Sequence, residues 1–313
     1  MPDERSWCHA SLPNAGLGNK LFVWAKARIF SQMTGLPLAV TGWTQLQLGS
    51  FIRGGDLRLY LNYFKRVDEV GRRSRARAQK SFVVVREPSL CSAGVDRTRT
   101  IYEFSDVPPW SDYFGDLRDF RDGVRDSLLS ILTEARKEEL SRCKSPVVCV
   151  QVRMGDFRQL RTGENFASVG GTRTPMEYFK RIIDGIREIH GSILPVEVVS
   201  DGSAADLAEL LSMPGVVMAP KRSKIADILV MARSQVLVPS AGSTFGYWAG
   251  FLGESAIVHH PDHFHNPIRP ESMNRSRFEG CLVGSPADWP PLFRENIQEF
   301  RPVNSGLKVA KAT

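Results

Sequence analysis

The second half of the chain alternates short apolar runs with helical segments, and this alternation limits the folds open to it. The run at 146–152 is almost entirely apolar, and shorter apolar runs follow at 196–201, 216–218, 235–239 and 256–258. Strands that are apolar on both sides are typical of a parallel sheet covered by helices on both faces. The sequence therefore predicts an α/β fold built on a doubly wound parallel sheet.

The chain has 313 residues, 42% hydrophobic and 24% charged, which is enough for two domains. The character of the sequence changes at 144–146, where a proline precedes the first buried run. We therefore expect an N-terminal α/β domain over 1–145 and a C-terminal domain over 146–300. The polar tail at 301–313 is expected to be mobile.

The net charge is +7, and the strongest basic run lies at 72–80. A solvated surface is one interpretation of this run, and contact with an acidic substrate or an anionic membrane surface is another. Nucleic acid is not expected as a partner, because no nucleic-acid motif or interleaved aromatic residues accompany the charge. The polar start and five scattered cysteines predict a cytoplasmic protein, with a peripheral position at the inner membrane surface as the alternative.

Polar residues follow the ends of several predicted strands, where ligands of such sheets bind. Arg153 follows the run at 146–152 and can hold a pyrophosphate bidentately, while Asp156 can orient Arg153 or accept a proton. The alternative is a structural Arg–Asp pair. Asp201 follows Ser200 at the next strand end and can accept hydrogen bonds from a ribose or a guanine edge, or can cap a helix.

A glycine-flanked turn leads from the strand at 235–239 into an aromatic helix. Gly242, Ser243, Thr244 and Phe245 place backbone N–H groups and two hydroxyls at the start of this helix, which suits a phosphate group. The alternative is an ordinary helix cap, and the aromatic pair at 247–248 is expected in the core in both cases. Asp227 lies at the start of the preceding helix, where the helix dipole stabilises a carboxylate. This structural role is a better interpretation of Asp227 than ligand binding.

A glycine loop near the N-terminus opens a further helix. Gly16 and Gly18 are followed by Asn19 and by Lys20, which can face a phosphate. The loop is not a dinucleotide-binding fingerprint, because Leu21 occupies the position of the third glycine and no convincing strand precedes it.

Four histidines cluster at 259–265 and are expected to form a surface loop. Their spacing does not match the usual metal-binding templates, so no metal is expected.

In this order, the motifs resemble those of the bacterial α-1,2-fucosyltransferases and their relatives among the GDP-fucose-dependent fucosyltransferases. The family's Gly-Leu-Gly-Asn-Gln loop appears at 16–20, its His-X-Arg-Arg-Gly-Asp-Tyr motif at 151–157, its Ser-Asp-Asp motif at 200–202 and its late block at 242–248. Arg153 is retained. Departures are Gln151 for the histidine, Met154 for the second arginine, Gly202 for the second aspartate and Lys20 for the glutamine.

The resemblance implies two Rossmann-like domains facing a cleft, the GT-B type, and a metal-independent, inverting transfer of fucose from GDP-fucose to a glycan acceptor. The N-terminal domain would help to hold the acceptor, Asp201 would recognise the guanosine, and Arg153 and Asp156 would be catalytic. The donor-binding set would comprise Gly16, Gly18, Asn19, Gln151, Arg153, Ser200, Asp201, Asp227, Gly242, Ser243, Thr244 and Phe245.

Two alternatives stay open. The departures at Gln151 and Gly202 also suit another GDP-sugar, such as GDP-mannose or GDP-rhamnose. The loss of the histidine and of the second arginine also suits a catalytically silent protein that binds GDP or glycans.

Overall fold

The computed structural model describes residues 4–44, 60–65, 69–71, 75, 81–91 and 94–299. The first of its two sheets is parallel and has the order β2-β1-β4-β3 among these residues. Its strands are β1 (Trp7–Ser11), β2 (Leu38–Thr41), β3 (Val83–Arg86) and β4 (Thr100–Phe104). Apart from Arg75, the basic run at 72–80 lies outside the described residues, as does the tail at 301–313.

The second sheet is also parallel, with the order β10-β9-β8-β5-β6-β7 in the described part of the chain. Its strands are β5 (Val148–Val152), β6 (Val196–Ser200), β7 (Val216–Met218), β8 (Val236–Pro239), β9 (Ala256–His259) and β10 (Glu279–Cys281). Every residue of β5 is buried, as its apolar sequence predicts. The order doubles back at β5, so the carboxyl ends of β5, β6 and β8 lie side by side, which is where such sheets bind ligands.

Within the described residues, the α-helices occupy segments between the strands, except for the last helix, which follows β10. They are α1 (Leu17–Thr34), α2 (Arg121–Ile131), α3 (Glu134–Ser141), α4 (Met176–His190), α5 (Ala208–Leu211), α6 (Lys224–Met231), α7 (Thr244–Leu252), α8 (Glu271–Asn274) and α9 (Pro291–Gln298). In the described part of the chain, none of the helices has the length and apolar character needed to cross a lipid bilayer.

Helix α1 packs against α7, so one hydrophobic core joins elements of both sheets. Phe22 of α1 contacts Trp248 of α7 and Phe114, with ring centroids 5.0 and 4.9 Å apart. The buried guanidinium of Arg121, at the start of α2, donates to the carbonyl oxygens of Phe251 and Gly253 at 2.7 Å. The contacts of Arg121 cap the C-terminus of α7, and the contact with Phe22 packs α1 against the same helix.

The α/β fold predicted from the sequence is confirmed, whereas one local expectation is wrong. Strand β1 precedes the glycine loop at 16–18, where the sequence indicated no convincing strand. Its residues, Trp-Cys-His-Ala-Ser, show neither an apolar run nor regular alternation. It forms because β2 and β4 pair with it on both sides and supply its backbone hydrogen bonds. The domain boundary at 145/146 stays a prediction.

Candidate active site

Arg153 lies just beyond the carboxyl end of β5 and is held between two carboxylates. Its guanidinium donates to Asp156 at 2.6 Å and to an oxygen of Asp201, which follows β6. The other oxygen of Asp201 accepts the backbone N–H of Met154 at 2.8 Å. The side chain of Asp156 is 53% exposed, against 21% for Asp201, so Asp156 is the more easily displaced partner. Asp201 does not cap a helix, since α5 begins only at Ala208.

A buried serine fixes the backbone of Arg153. The Oγ of Ser240, directly after β8, accepts the Arg153 N–H at 2.8 Å and donates to the Gln151 carbonyl oxygen at 3.0 Å. Ser240 is fully buried and therefore connects β5 to β8 at the edge where the site lies. Gln151, 3% exposed, directs its side-chain oxygen to the Ser240 N–H at 3.2 Å. Gln151 thus lies beneath the turn after β8, and its side chain braces that turn.

The turn after β8 presents the N-terminus of α7 at the same edge. Gly242 has φ +68°, a left-handed conformation that favours glycine, and its N–H donates to the Tyr247 hydroxyl at 2.8 Å. Ser243 is the N-cap residue but its side chain does not cap α7. The first N–H groups of α7, from Thr244 and Phe245, therefore have no side-chain cap and can bind an anion. Tyr247 is 7% exposed, and Trp248 is fully buried, which confirms the expectation that they are core residues.

The N-terminal turn of α1, which begins within the glycine motif at 16–20, contacts this helix end directly. The Thr244 hydroxyl donates to the Asn19 side chain at 3.0 Å, and the Trp248 indole N–H donates to the Gly18 carbonyl oxygen at 2.8 Å. A Cβ at Gly18 would lie 2.6 Å from Thr244 Oγ1, so the approach requires glycine there. Among the described residues other than its own chain neighbours, none has an atom within 4 Å of the Cβ position of Gly16. The structure therefore joins two motifs that are more than half of the chain apart.

Lys20 faces the first sheet. It is 1% exposed, and its ammonium group donates to the Gly42 carbonyl oxygen beyond β2. Burial lowers the pKa of Lys20 to about 8, because the charged form loses its hydration. The sequence allowed Lys20 to face a phosphate, but these contacts direct it to the N-terminal sheet.

Two departures from the family pattern pack against each other. Met154 is 5% exposed and belongs to the core of the second sheet with Val152 and Leu207. A Cβ at Gly202 would lie 2.8 Å from Met154 Cγ, so a larger residue at 202 would require Met154 to move. The Ser200 hydroxyl accepts the Gly202 N–H at 3.0 Å and shapes the turn. The side chain of Met154 therefore occupies the space that the absence of a side chain at Gly202 leaves.

Asp227, at the start of α6, pairs with a buried arginine. Its carboxylate accepts from Arg222 at 3.1 Å, and Arg222 also donates to Glu197 of β6 at 2.5 Å. Burial raises the pKa of Asp227 to about 6, although Arg222 opposes this shift. The described contacts of Asp227 are with this network and do not include Arg153 or the turn at 242–245.

The histidine cluster forms a surface loop only in its second half, where His265 is exposed, and the expectation of a surface loop is wrong for its first two histidines. His259 is 2% exposed and pairs with the buried carboxylate of Glu279 at 3.2 Å, and His260 packs against the ring of Phe166. His259 ends a central strand, so its backbone pairing buries it. His263 donates from Nε2 to the carbonyl oxygen of Phe166, in the loop after β5, at 2.8 Å. Within the described residues, no group of three or more His, Cys, Asp or Glu side chains is placed to hold a metal ion.

The arrangement can bind an anionic group if that group replaces one of the carboxylates on Arg153. A cation at the end of β5 and a helix N-terminus at the end of β8 lie on adjacent parallel strands, joined by the hydrogen bonds of Ser240. Sequence reasoning missed Ser240 and also Thr174, whose hydroxyl accepts the Ala241 N–H at 3.0 Å. Their only sequence signal is a hydroxyl residue beside a predicted strand end or loop, which is too common to be informative.

This fold and site define a class, the GT-B-type glycosyltransferases. The sequence matches the model of glycosyl transferase family 11 over residues 104–263, about half of the chain, and the protein belongs to that family. A search of curated proteins gave no match.

Solved fucosyltransferase structures are similar in fold. The fucosyltransferase NodZ from Bradyrhizobium has a TM-score of 0.50 and 15% sequence identity, over 80% of this chain and 94% of NodZ. The structure of the NodZ α-1,6-fucosyltransferase soaked with GDP-fucose has a TM-score of 0.49 and 15% identity over the same shares. A variant of Arabidopsis thaliana FUT1 in complex with GDP has a TM-score of 0.45 and 14% identity, over 87% of this chain and 72% of FUT1.

Proposed function

We propose that the protein transfers L-fucose from GDP-fucose to a hydroxyl group of a glycan, with inversion and in an α-1,2 linkage. Family 11 membership and the fucosyltransferase NodZ fold support the reaction class. The observation that carries the proposal is the position of Arg153 beside the N-terminus of α7, at the shared edge of β5 and β8. The α-1,2 linkage rests on the resemblance of the sequence motifs.

The donor diphosphate would bind between Arg153 and the turn at 242–245. Arg153 carries one positive charge against the two negative charges of Asp156 and Asp201. A diphosphate would therefore have to replace one of the carboxylates. Asp156 is the more exposed, whereas Asp201 is also held by the Met154 N–H. We expect the diphosphate to displace Asp156 and to leave Asp201 in place, holding the guanidinium in position.

The reaction would be a single displacement at the anomeric carbon. An oxygen of the acceptor attacks that carbon from the face opposite the diphosphate, and the bond between the carbon and the phosphate oxygen breaks. The electron pair of that bond leaves with GDP, so negative charge grows on the phosphate. Arg153 and the first N–H groups of α7 would stabilise this charge, aided by the Ser243 and Thr244 hydroxyls.

The acceptor loses one proton in this step. Asp156 would take it, because its exposed carboxylate would be released from Arg153 when the donor binds. Asp201 would position Arg153, since both of its oxygens are already engaged. No metal has a part in the proposed reaction, because Arg153 and the N-terminus of α7 supply the positive charge that a cation would otherwise supply. We therefore expect turnover to be undiminished in excess EDTA.

The test is replacement of Arg153. We expect Arg153→Ala to reduce GDP-fucose turnover by about 100-fold or more, since loss of one contact to the developing charge typically costs ~3 kcal/mol. The control is Arg142→Ala, because Arg142 is 74% exposed and pairs with Glu138 in α3. Far-UV circular dichroism and thermal unfolding would verify that both variants fold. Equal turnover by Arg153→Ala, Arg142→Ala and the wild type would refute the proposal.

Donor identity needs a separate measurement. The thermal stability of the protein is measured with GDP, UDP, CMP or ADP added, in order to identify the nucleotide that binds. A ligand at ~100 times its dissociation constant raises the free energy of unfolding by ~2.7 kcal/mol. Turnover of GDP-mannose or GDP-rhamnose but not GDP-fucose would identify another donor. Stabilisation by GDP without turnover of any GDP-sugar would identify a binding protein. The burial of Gln151 and Met154, which replace a histidine and an arginine of the family pattern, makes this comparison necessary.

A further inference from the structure

Trp110 is the most exposed tryptophan of the chain. Its exposed fraction is 65%, whereas Trp7, Trp24, Trp248 and Trp289 are at most 4% exposed. Trp110 also belongs to none of the hydrophobic clusters of the described residues. A large apolar ring that remains in water contributes nothing to the core, and tryptophan is enriched at binding interfaces.

The position of Trp110 connects the two sheets. It lies in the segment after β4, and His265 lies in the segment after β9, so both follow carboxyl strand ends. Their ring centroids are 4.4 Å apart with an interplanar angle of 78°. Beside them, the Asn266 side-chain amide donates to the Ser111 carbonyl oxygen at 2.9 Å. These contacts hold Trp110 where the carboxyl edge of the N-terminal sheet meets that of the C-terminal sheet.

A short series of contacts connects this point to the donor turn. Tyr113, three residues after Trp110, lies with its ring centroid 6.2 Å from that of Tyr247. The Tyr247 hydroxyl accepts the N–H of Gly242 in the turn before α7. Trp110 therefore lies three residues from a ring that is close to the one bonded to the donor turn, and it belongs to the N-terminal side, where we expect the acceptor to bind.

The ring geometry leaves room for a ligand. In an edge-to-face contact only one face of one ring is covered, so at least one face of the Trp110 indole is clear of His265. A pyranose ring presents an apolar face of C–H groups that fits an indole face, while its hydroxyls point outward to polar groups. We propose that Trp110 is the stacking platform for a sugar ring of the acceptor. The proposal rests on the function proposed above, and it identifies the acceptor as an oligosaccharide that presents such a face.

The test compares Trp110→Ala and Trp110→Phe with Ile193→Ala. Ile193 is also exposed, at 66%, but it precedes β6 and so lies at the opposite edge of the sheet. GDP-loaded protein is applied to an array of defined oligosaccharides, and the KM of the best-bound oligosaccharide is then measured in transfer. We expect Trp110→Ala to raise that KM about tenfold or more, which corresponds to about 1.4 kcal/mol. Trp110→Phe, which retains a ring, and Ile193→Ala should stay close to the wild type.

A second readout separates this proposal from the proposed function. Hydrolysis of GDP-fucose in the absence of acceptor should be the same in Trp110→Ala as in the wild type, because the donor contacts are intact. Unchanged acceptor KM in Trp110→Ala would overturn the platform, as would a wild-type protein that binds none of the oligosaccharides. Binding of oligosaccharides that depends on Trp110, without turnover of GDP-fucose, would support the platform and refute fucosyl transfer.

Discussion

Ser240→Ala tests whether the buried hydroxyl after β8 positions Arg153. The substitution removes the acceptor of the Arg153 N–H, at 2.8 Å, and leaves that half-buried N–H without this partner. A buried polar group left without a hydrogen bond costs about 1–3 kcal/mol, so we expect the free energy of unfolding to fall by about that amount. The guanidinium should also shift relative to the turn before α7. Because one contact to a developing negative charge is worth ~100-fold in rate or more, a partial loss should lower kcat about 10- to 100-fold.

Ser234 provides a matched control near the other end of β8. It precedes β8, is 4% exposed, and its hydroxyl donates to the Met231 carbonyl oxygen at 2.7 Å, so Ser234→Ala should cost similar stability. Ser234 lies at the amino end of the strand, away from Arg153. Urea unfolding measures the stability of both variants, and GDP release from GDP-fucose measures kcat. Equal reductions of kcat in the two variants, or an unchanged kcat in Ser240→Ala, would show that the hydroxyl does not position Arg153.

Two further predictions concern the contact between the glycine loop and α7 and the response to acid. Gly18→Ala places a methyl group 2.6 Å from Thr244 Oγ1, so it should lower the free energy of unfolding by about 1–3 kcal/mol and weaken GDP binding, whereas Gly16→Ala should change neither. Burial lowers the pKa of His260 from its ordinary value of 6.5 to about 4. As the pH falls from 6.5 towards 4, the imidazole is therefore protonated in the unfolded chain before it is protonated in the folded protein. The free energy of unfolding is unaffected by His260 above pH 6.5 and decreases as the pH falls through this range. His260→Phe should remove up to about 3 kcal/mol of this acid-induced loss, measured by urea unfolding from pH 7 to 4.

Each of these predictions has a clear contrary outcome. Wild-type stability and GDP affinity in Gly18→Ala would mean that the loop and α7 are not closely packed in solution. A pH profile of His260→Phe parallel to that of the wild type would mean that the imidazole is protonated equally in the folded and unfolded states. Asp227, whose pKa is raised to about 6, affects the same pH range in the opposite direction, so only the difference between variant and wild type is informative.

Much of the candidate site could be predicted because parallel sheets impose a simple rule. The apolar runs locate the strands, and Arg153, Asp201 and the turn at 242–245 each follow one of them. Since the carboxyl ends of parallel strands share one edge, these residues had to lie near one another. The pairing of Arg153 with Asp156 and Asp201 follows from charge and proximity, although the sequence could not decide which carboxylate is the more exposed.

Other features depend on contacts between distant parts of the chain. The bond between Asn19 and Thr244 spans 225 positions, and it exists because α1 and α7 share a core. The burial of Met154 depends on the space left by Gly202. His259 is buried because its strand has a neighbour on each side and because the carboxylate of Glu279 is a partner for its ring nitrogen. None of these could be inferred from local spacing.

The sequence by itself determined the parallel α/β fold of the second sheet and the strand ends at which polar groups accumulate, because hydrophobic periodicity and chain direction are local properties. Only the tertiary structure decided that Ser240 fixes Arg153, that the glycine loop contacts the N-terminus of α7, and that Trp110 meets His265 between the two sheets. The reason is physical: these contacts form only when surfaces far apart in the chain pack together, and their energies depend on which side chains that packing buries.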